Sequence, residues 1–143
     1  MMKILFQFKN LWIILFIIFS SILLADNDID KYIDDILNGE LKESKEKLPY
    51  LINTYPNNYK VIYIQGLLED NSEKAVEYYK KLYNFHPNSD LADDAVMKIG
   101  EYYYVVGSYI QAADWFKKIP VYYSRSNDIG RALNLYLNCL IVI

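Results

Sequence analysis

The sequence predicts an all-α protein: stacked antiparallel helix hairpins, about three units, followed by one unpaired C-terminal helix. Three observations carry this. First, apolar residues recur at i, i+3, i+4 and i+7 through most of residues 28–143, the period of a helix with one buried face. Second, three triplets share one i, i+4, i+7 pattern: Ser44/Leu48/Leu51, Ala75/Tyr79/Leu82 and Ala112/Phe116/Ile119. Third, each triplet runs into a turn: Tyr55-Pro56-Asn57, His86-Pro87-Asn88 and Tyr123-Ser124-Arg125. The first residues of the triplets lie 31 and then 37 positions apart, so the chain repeats with a mean period of about 34 residues. In each unit the small residue allows two helices to touch closely. The large residues fill the space to the neighbour, and in the first two units a turn proline stops the second helix.

In chain order, residues 1–10 carry Lys3 and Lys9, and residues 11–25 read LWIILFIIFSSILLA without a charge. Asp26 and Asp28 follow at once. A basic start, a short apolar run and a small residue before a polar body describe a secretory signal peptide, with the mature chain starting at Asp26. The run spans about 22 Å as a helix, short of a hydrocarbon core of roughly 30 Å. The alternative is an uncleaved N-terminal membrane anchor that also recruits residues 4–10. No cysteine follows the run to carry a lipid.

Residues 28–37 place Ile29, Tyr32, Ile33, Ile36 and Leu37 on one helical face, and Asn38-Gly39 stops the helix. A second helix is expected over 40–54, kinked or broken at Pro49. Tyr55-Pro56-Asn57-Asn58 is a turn, and 57–69 is a third helix. Asp70-Asn71-Ser72 caps a fourth over 73–85. Residues 88–119 read as a complete hairpin. Its first helix carries Leu91, Ala92, Ala95, Val96, Ile99, Tyr103 and Val106 on its packing face, and Gly107 supplies the left-handed stop. Ser108 and Gln111 have capping-box spacing for the second helix, which continues through Ala112, Phe116 and Ile119. A polar loop over 123–128 leads into a last helix over 129–143.

The hairpin of residues 88–119 resembles a tetratricopeptide repeat (TPR). Gly100, Tyr103, Gly107, Tyr109, Ala112 and Phe116 stand in that family's order and spacing. The resemblance is closest over 88–119, looser over 57–87, and weakest over 28–56 and 127–143. The chain departs from the family's pattern at Ser44, where alanine is preferred, and at Pro49. It departs again between Gly66 and Ala75, which is three residues short, and at Ser124, where proline is usual. Ala132 falls on Ala95 with a 37-residue shift, so the last helix aligns with the first helix of a unit. Within the family, PNSDLADDA before the Gly-and-Tyr hairpin looks like exported bacterial repeat proteins, such as the periplasmic Tol-Pal system coordinator and BamD-type outer-membrane assembly factors.

This resemblance implies a non-catalytic scaffold of the periplasm or cell envelope, with residues 26–143 as one TPR-like helical repeat domain. Such an array binds a protein or peptide in a concave groove lined by the first helix of each unit. Carried over residue by residue, the groove consists of Tyr63 and Leu67, then Asp94, Met97, Glu101 and Tyr104, then Arg131, Asn134 and Asn138. The alternative function is a self-association module, or the N-terminal fragment of a larger envelope TPR protein.

Composition agrees with an interaction domain. Of 143 residues 53% are apolar, enough to build a core. Residues 1–25 hold two lysines and no acid, so the rest of the chain carries 13 bases against 18 acids, a net charge of −5. A mildly acidic body without a basic stripe argues against a nucleic-acid partner, and membrane contact is expected only through residues 1–25, if these are uncleaved. No metal-protease, phosphate-loop, paired-cysteine or nucleophile-elbow motif is present, so no catalytic residue, cofactor or metal ligand is expected. His86 is the one histidine; it precedes Pro87 and reads as a solvent-facing loop residue. Asp93-Asp94 reads as first-turn acid placed at the positive end of a helix rather than as a carboxylate pair. Cys139 reads as a small buried hydrophobe. The fifteen tyrosines suit either a binding surface or the edges of helix packing.

The last helix is apolar nearly all round. Leu133, Tyr136, Leu137 and Leu140 form the face expected to pack on the preceding hairpin, and Leu135, Cys139, Val142 and Ile143 lie elsewhere. The helix is therefore expected to be covered by a second copy, a partner, or a further stretch of a longer parent protein.

Overall fold

The computed structural model describes Leu15 and residues 28–143, and every regular element among them is helical. The signal-peptide and anchor readings of residues 1–25 lie outside the described residues, Leu15 excepted. Helix α1 covers 28–37, α2 Leu41–Thr54, α3 Tyr59–Leu68 and α4 Ser72–Phe85. After these come α5 Ala92–Val105, α6 Tyr109–Phe116, α7 Lys118–Tyr122 and α8 Ile129–Val142. None of the described helices is long and apolar enough to cross a membrane.

Most helices pack chiefly on their neighbours in sequence, α3 on α2 and α4, α5 on α4 and α6, whereas α8 passes over the short α7 to pack chiefly on α6. The apolar faces meet in two clusters. One gathers Ile29, Ile33, Ile36, Leu51, Val61, Ile62, Ile64 and Leu82 with Ala92, Ala95 and Ile99. The other joins Val96 and Met97 to Ala112, Phe116, Ile119, Ala132 and Cys139. Helix α5 is thus buried on two sides and forms the wall between them.

Two glycines end their helices by the same device. Gly39 and Gly107 take φ of +93° and +76°, a region that side-chain-bearing residues rarely occupy. Gly107 N–H donates to Tyr104 O and Ser108 N–H to Tyr103 O. Gly39 N–H donates to Ile36 O and Glu40 N–H to Asp35 O. Both are Schellman closures, which satisfy the last free carbonyls of α1 and α5. Side-chain caps start two other helices: Asn58 accepts from Lys60 N and Asn71 from Lys74 N.

Several expectations are corrected. The Ser108–Gln111 capping box does not form, because Ser108 makes no side-chain cap bond. Its backbone N–H is already spent on Tyr103 O, so Gln111 has no donor left to satisfy there. The break at Pro49 does not occur, and α2 is continuous. Pro49 and Lys45 both face solvent, so water can take the carbonyl that proline leaves unpaired, while buried Ser44 and Leu51 hold the helix to the core. The break falls instead at Lys117, between α6 and α7. Pro120 has no N–H to donate to Phe116 O, and the ladder is interrupted at that point. Val106 is exposed as the C-cap of α5 rather than part of its packing face.

The largest correction concerns α8. Ala132 and Cys139 are its buried residues, with Leu135 and Tyr136 packed beside them. Leu133, Leu137 and Leu140, expected to pack inward, are exposed. The small residues let α8 approach α6 closely at Ala112 and Ala113, and leucines on that face would hold the two helices apart.

Ser44 shows how a polar residue fits where alanine is usual. It is buried, and its hydroxyl donates to Glu40 O at 2.8 Å, one turn back in the chain. Lys60 is a second buried polar residue, with its ammonium 2.8 Å from Asp30 Oδ1 on α1 and 5.9 Å from the centre of the Tyr59 ring.

Candidate functional site

Helices α5 and α8 stand apart enough to leave a cleft of about 680 Å3, lined by Glu101, Tyr104, Val105, Phe116, Arg131, Asn134 and Leu135. Phe116 and Leu135 give it an apolar floor. Tyr104 makes one wall, held edge-on against Tyr109 at 5.5 Å and Phe116 at 6.4 Å between ring centres. Arg131 Nη2 donates to Glu101 Oε1, which straps α8 to α5 along one rim. Lys98 lies 3.8 Å from the other Glu101 oxygen, and Asp128 lies 3.9 Å from Arg131. Asn134 is exposed on α8, three residues beyond Arg131 and on the same side of the helix.

This cleft joins four of the nine residues assigned to a groove: Glu101, Tyr104, Arg131 and Asn134. Asn138 is exposed one turn further along α8, outside the lining. Asp94 is half-buried in the first turn of α5, and Leu67 is half-buried against the first core cluster. Tyr63 and Met97 do not face an open groove; they are 3% and 2% exposed and belong to the two cores. Their helices are covered by neighbours on both flanks, which periodicity on one helix cannot register. Conversely, Val105, Phe116 and Leu135 line the cleft although no spacing in the sequence singles them out for it.

The surroundings of the cleft are acidic. Burial, then the charges of Asp93 and Asp128, pushes the Asp94 carboxyl up to about 6, with Lys98 pulling the other way. Burial also raises the Tyr63 and Tyr79 hydroxyls, Tyr63 further through the charge of Asp94. Carboxylates of α5 and the N-cap of α8 therefore share one field, offset by Lys98 and Arg131.

His86 is not a free loop residue. It is the C-cap of α4, half-buried, with its ring 5.9 Å from Tyr59. Cys139 is fully buried, and burial pushes its thiol up. Of the fifteen tyrosines two are buried, two exposed and eleven half-buried, so most act as amphipathic wedges at helix edges. Lys80 Nζ, for example, donates to Tyr103 OH at 2.7 Å. Lys118 lies over both Tyr83 and Trp115, at 5.3 and 5.1 Å from the ring centres.

A comparison with protein-family models finds no match, and a comparison with curated proteins finds no relative.

Proposed function

We propose that the chain is a non-catalytic TPR-like scaffold of the bacterial cell envelope that holds a protein or peptide segment in the cleft between α5 and α8. The cleft carries the reading. It offers an apolar floor at Phe116 and Leu135, an aromatic wall at Tyr104, and polar groups of three kinds at Glu101, Arg131 and Asn134. Recognition clefts combine these elements: apolar area for affinity and a few placed polar groups for orientation. The TPR-like arrangement is supported by two matching close contacts, Gly66 under Tyr79 and Gly100 under Phe116, whose glycines lie 34 positions apart. Envelope residence rests on the layout of residues 1–25 and on the resemblance carried by residues 88–119.

The test passes a library of peptide segments over the immobilised full chain. Segments retained by the wild type and lost with Asn134→Ala support the reading. Retention indifferent to Tyr104, Arg131 and Asn134 would place binding elsewhere.

A further inference from the structure

The cleft between α5 and α8 is flanked on both helices by acid. Asp94 lies seven residues before Glu101, and Asp128, the N-cap of α8, lies seven residues before Leu135. Seven residues are close to two full turns. Each acid therefore stands on the side of its helix that lines the cleft, about 10 Å back toward the N-terminus. The two lie in one field: after burial and Asp93, the charge of Asp128 acts on Asp94, and beyond burial both act on the Tyr63 hydroxyl. Asp90 and Asp93 add to that field, so with Glu101 five carboxylates meet two cations, Lys98 and Arg131. Both cations are drawn to Glu101, Arg131 by a hydrogen bond and Lys98 at 3.8 Å. Asp94 is half-buried and makes no ion pair among the described residues. A helix N-terminus favours acid in its own first turn, but it does not account for carboxylates of two helices crowding together.

Resting on the reading of this cleft as a peptide site, we propose that the segment it holds is both apolar and basic. A large apolar side chain seats on Phe116 and Leu135, and a Lys or Arg of the same segment reaches the carboxylates of Asp94 and Asp128. Charge complementarity selects this chemistry. An acidic segment meets like charge at Asp94 and Asp128, and a purely apolar one leaves their field uncompensated. The helices also set the spacing. Tyr104, the aromatic wall, is ten residues beyond Asp94, which is about 15 Å along α5. An extended chain rises about 3.3 Å per residue, so about four or five residues separate the apolar anchor from the cation.

A peptide library passed over the immobilised full chain tests the ligand class separately from the cleft. Segments whose retention requires Asn134 should be enriched in Lys and Arg about four or five positions from a large apolar residue. A synthetic peptide of a retained sequence should bind Asp94→Asn and Asp128→Asn each about two- to fivefold more weakly than the wild type, and the difference should shrink at high salt. The same peptide with its Lys replaced by Gln should bind wild type and Asp94→Asn alike, which separates a lost charge pair from a change of shape. Glu77→Gln, exposed on α4, should leave binding unchanged. Circular dichroism shows that each variant is folded. Retention that needs Asn134 but shows no basic preference, or an acidic one, overturns the proposal and leaves the cleft reading standing. Retention that never depends on Asn134 removes both. Equal losses at Glu77→Gln and Asp94→Asn also overturn it, because attraction would then follow the net charge of the chain.

Discussion

One edge of the Phe116 ring lies against Gly100: a β-carbon built at Gly100 would come within 2.6 Å of the ring's Cε1 atom. Phe116 is fully buried. Tyr79 covers Gly66 in the same way, at 2.5 Å. In both hairpins the absence of a side chain on the first helix admits the aromatic ring of the second.

Gly100→Ala should therefore destabilise the fold. Overpacking costs about 1–3 kcal/mol, and the better helix propensity of alanine returns up to about 1. The net loss is about 1–2 kcal/mol, read as a melting temperature lower by several degrees. Gly130→Ala on α8 is the control, because open space surrounds that position; its melt should hold or rise. The combination Gly100→Ala with Phe116→Leu should cost less than the two changes added separately. Strict additivity would mean that the ring and the glycine do not interact.

The cleft separates binding from stability residue by residue. Asn134 is exposed, so Asn134→Ala should leave the melt unchanged within about 0.5 kcal/mol while weakening peptide retention. Tyr104 packs on Tyr109 and Phe116, so Tyr104→Ala should lower both retention and stability, the latter by about 1–3 kcal/mol. Equal effects of the two variants on the melt would contradict the packing described for Tyr104.

How far the sequence reveals this architecture depends on what each signal measures. Helices α1 to α6 and α8 are legible because one-sided burial writes a 3.6-residue period, and Gly39 and Gly107 are legible as stops because a left-handed residue is needed there. The packing face of α8 is not legible. Its residues are apolar on every side, so hydropathy cannot choose between Ala132/Leu135/Tyr136/Cys139 and Leu133/Leu137/Leu140. The choice is made by the closeness of α6, which selects the smaller side chains. Tyr63 and Met97 are misplaced for a related reason: a register carried from one repeat to the next fixes direction around a helix, while burial depends on the helices flanking it. The Lys60–Asp30 pair gives no local signal, since its members lie 30 residues apart and each reads as an ordinary surface charge.

Export makes a prediction independent of the folded part. If residues 1–25 act as a cleaved signal, the chain recovered from the envelope fraction should begin at Asp26. N-terminal sequencing decides this. Recovery with Met1 intact would assign the apolar run to an anchor instead.

Asp94 provides a prediction in pH. Its carboxyl is pushed up to about 6, chiefly by burial and then by Asp93 and Asp128, against an ordinary value of 3.8. Between these two values the folded chain holds a proton at Asp94 that the unfolded chain has released. Stability contributed by this group is therefore greatest at low pH, and it falls as pH rises from about 4 to about 6. The sign is opposite to that of a carboxylate stabilised by an ion pair, whose contribution is lost on acidification. Asp94→Asn removes the buried charge while keeping the size of the side chain and its place in the first turn of α5. The variant should melt above the wild type at pH 7.5, where wild-type Asp94 is ionised among Asp90, Asp93 and Asp128. At pH 4.5, where wild-type Asp94 is largely protonated, the two melts should converge. Thermal unfolding of both proteins across this range measures the difference directly. A gap that stayed constant with pH, or one that widened toward acid, would mean that Asp94 is ionised throughout and that Lys98 outweighs burial in the first turn of α5.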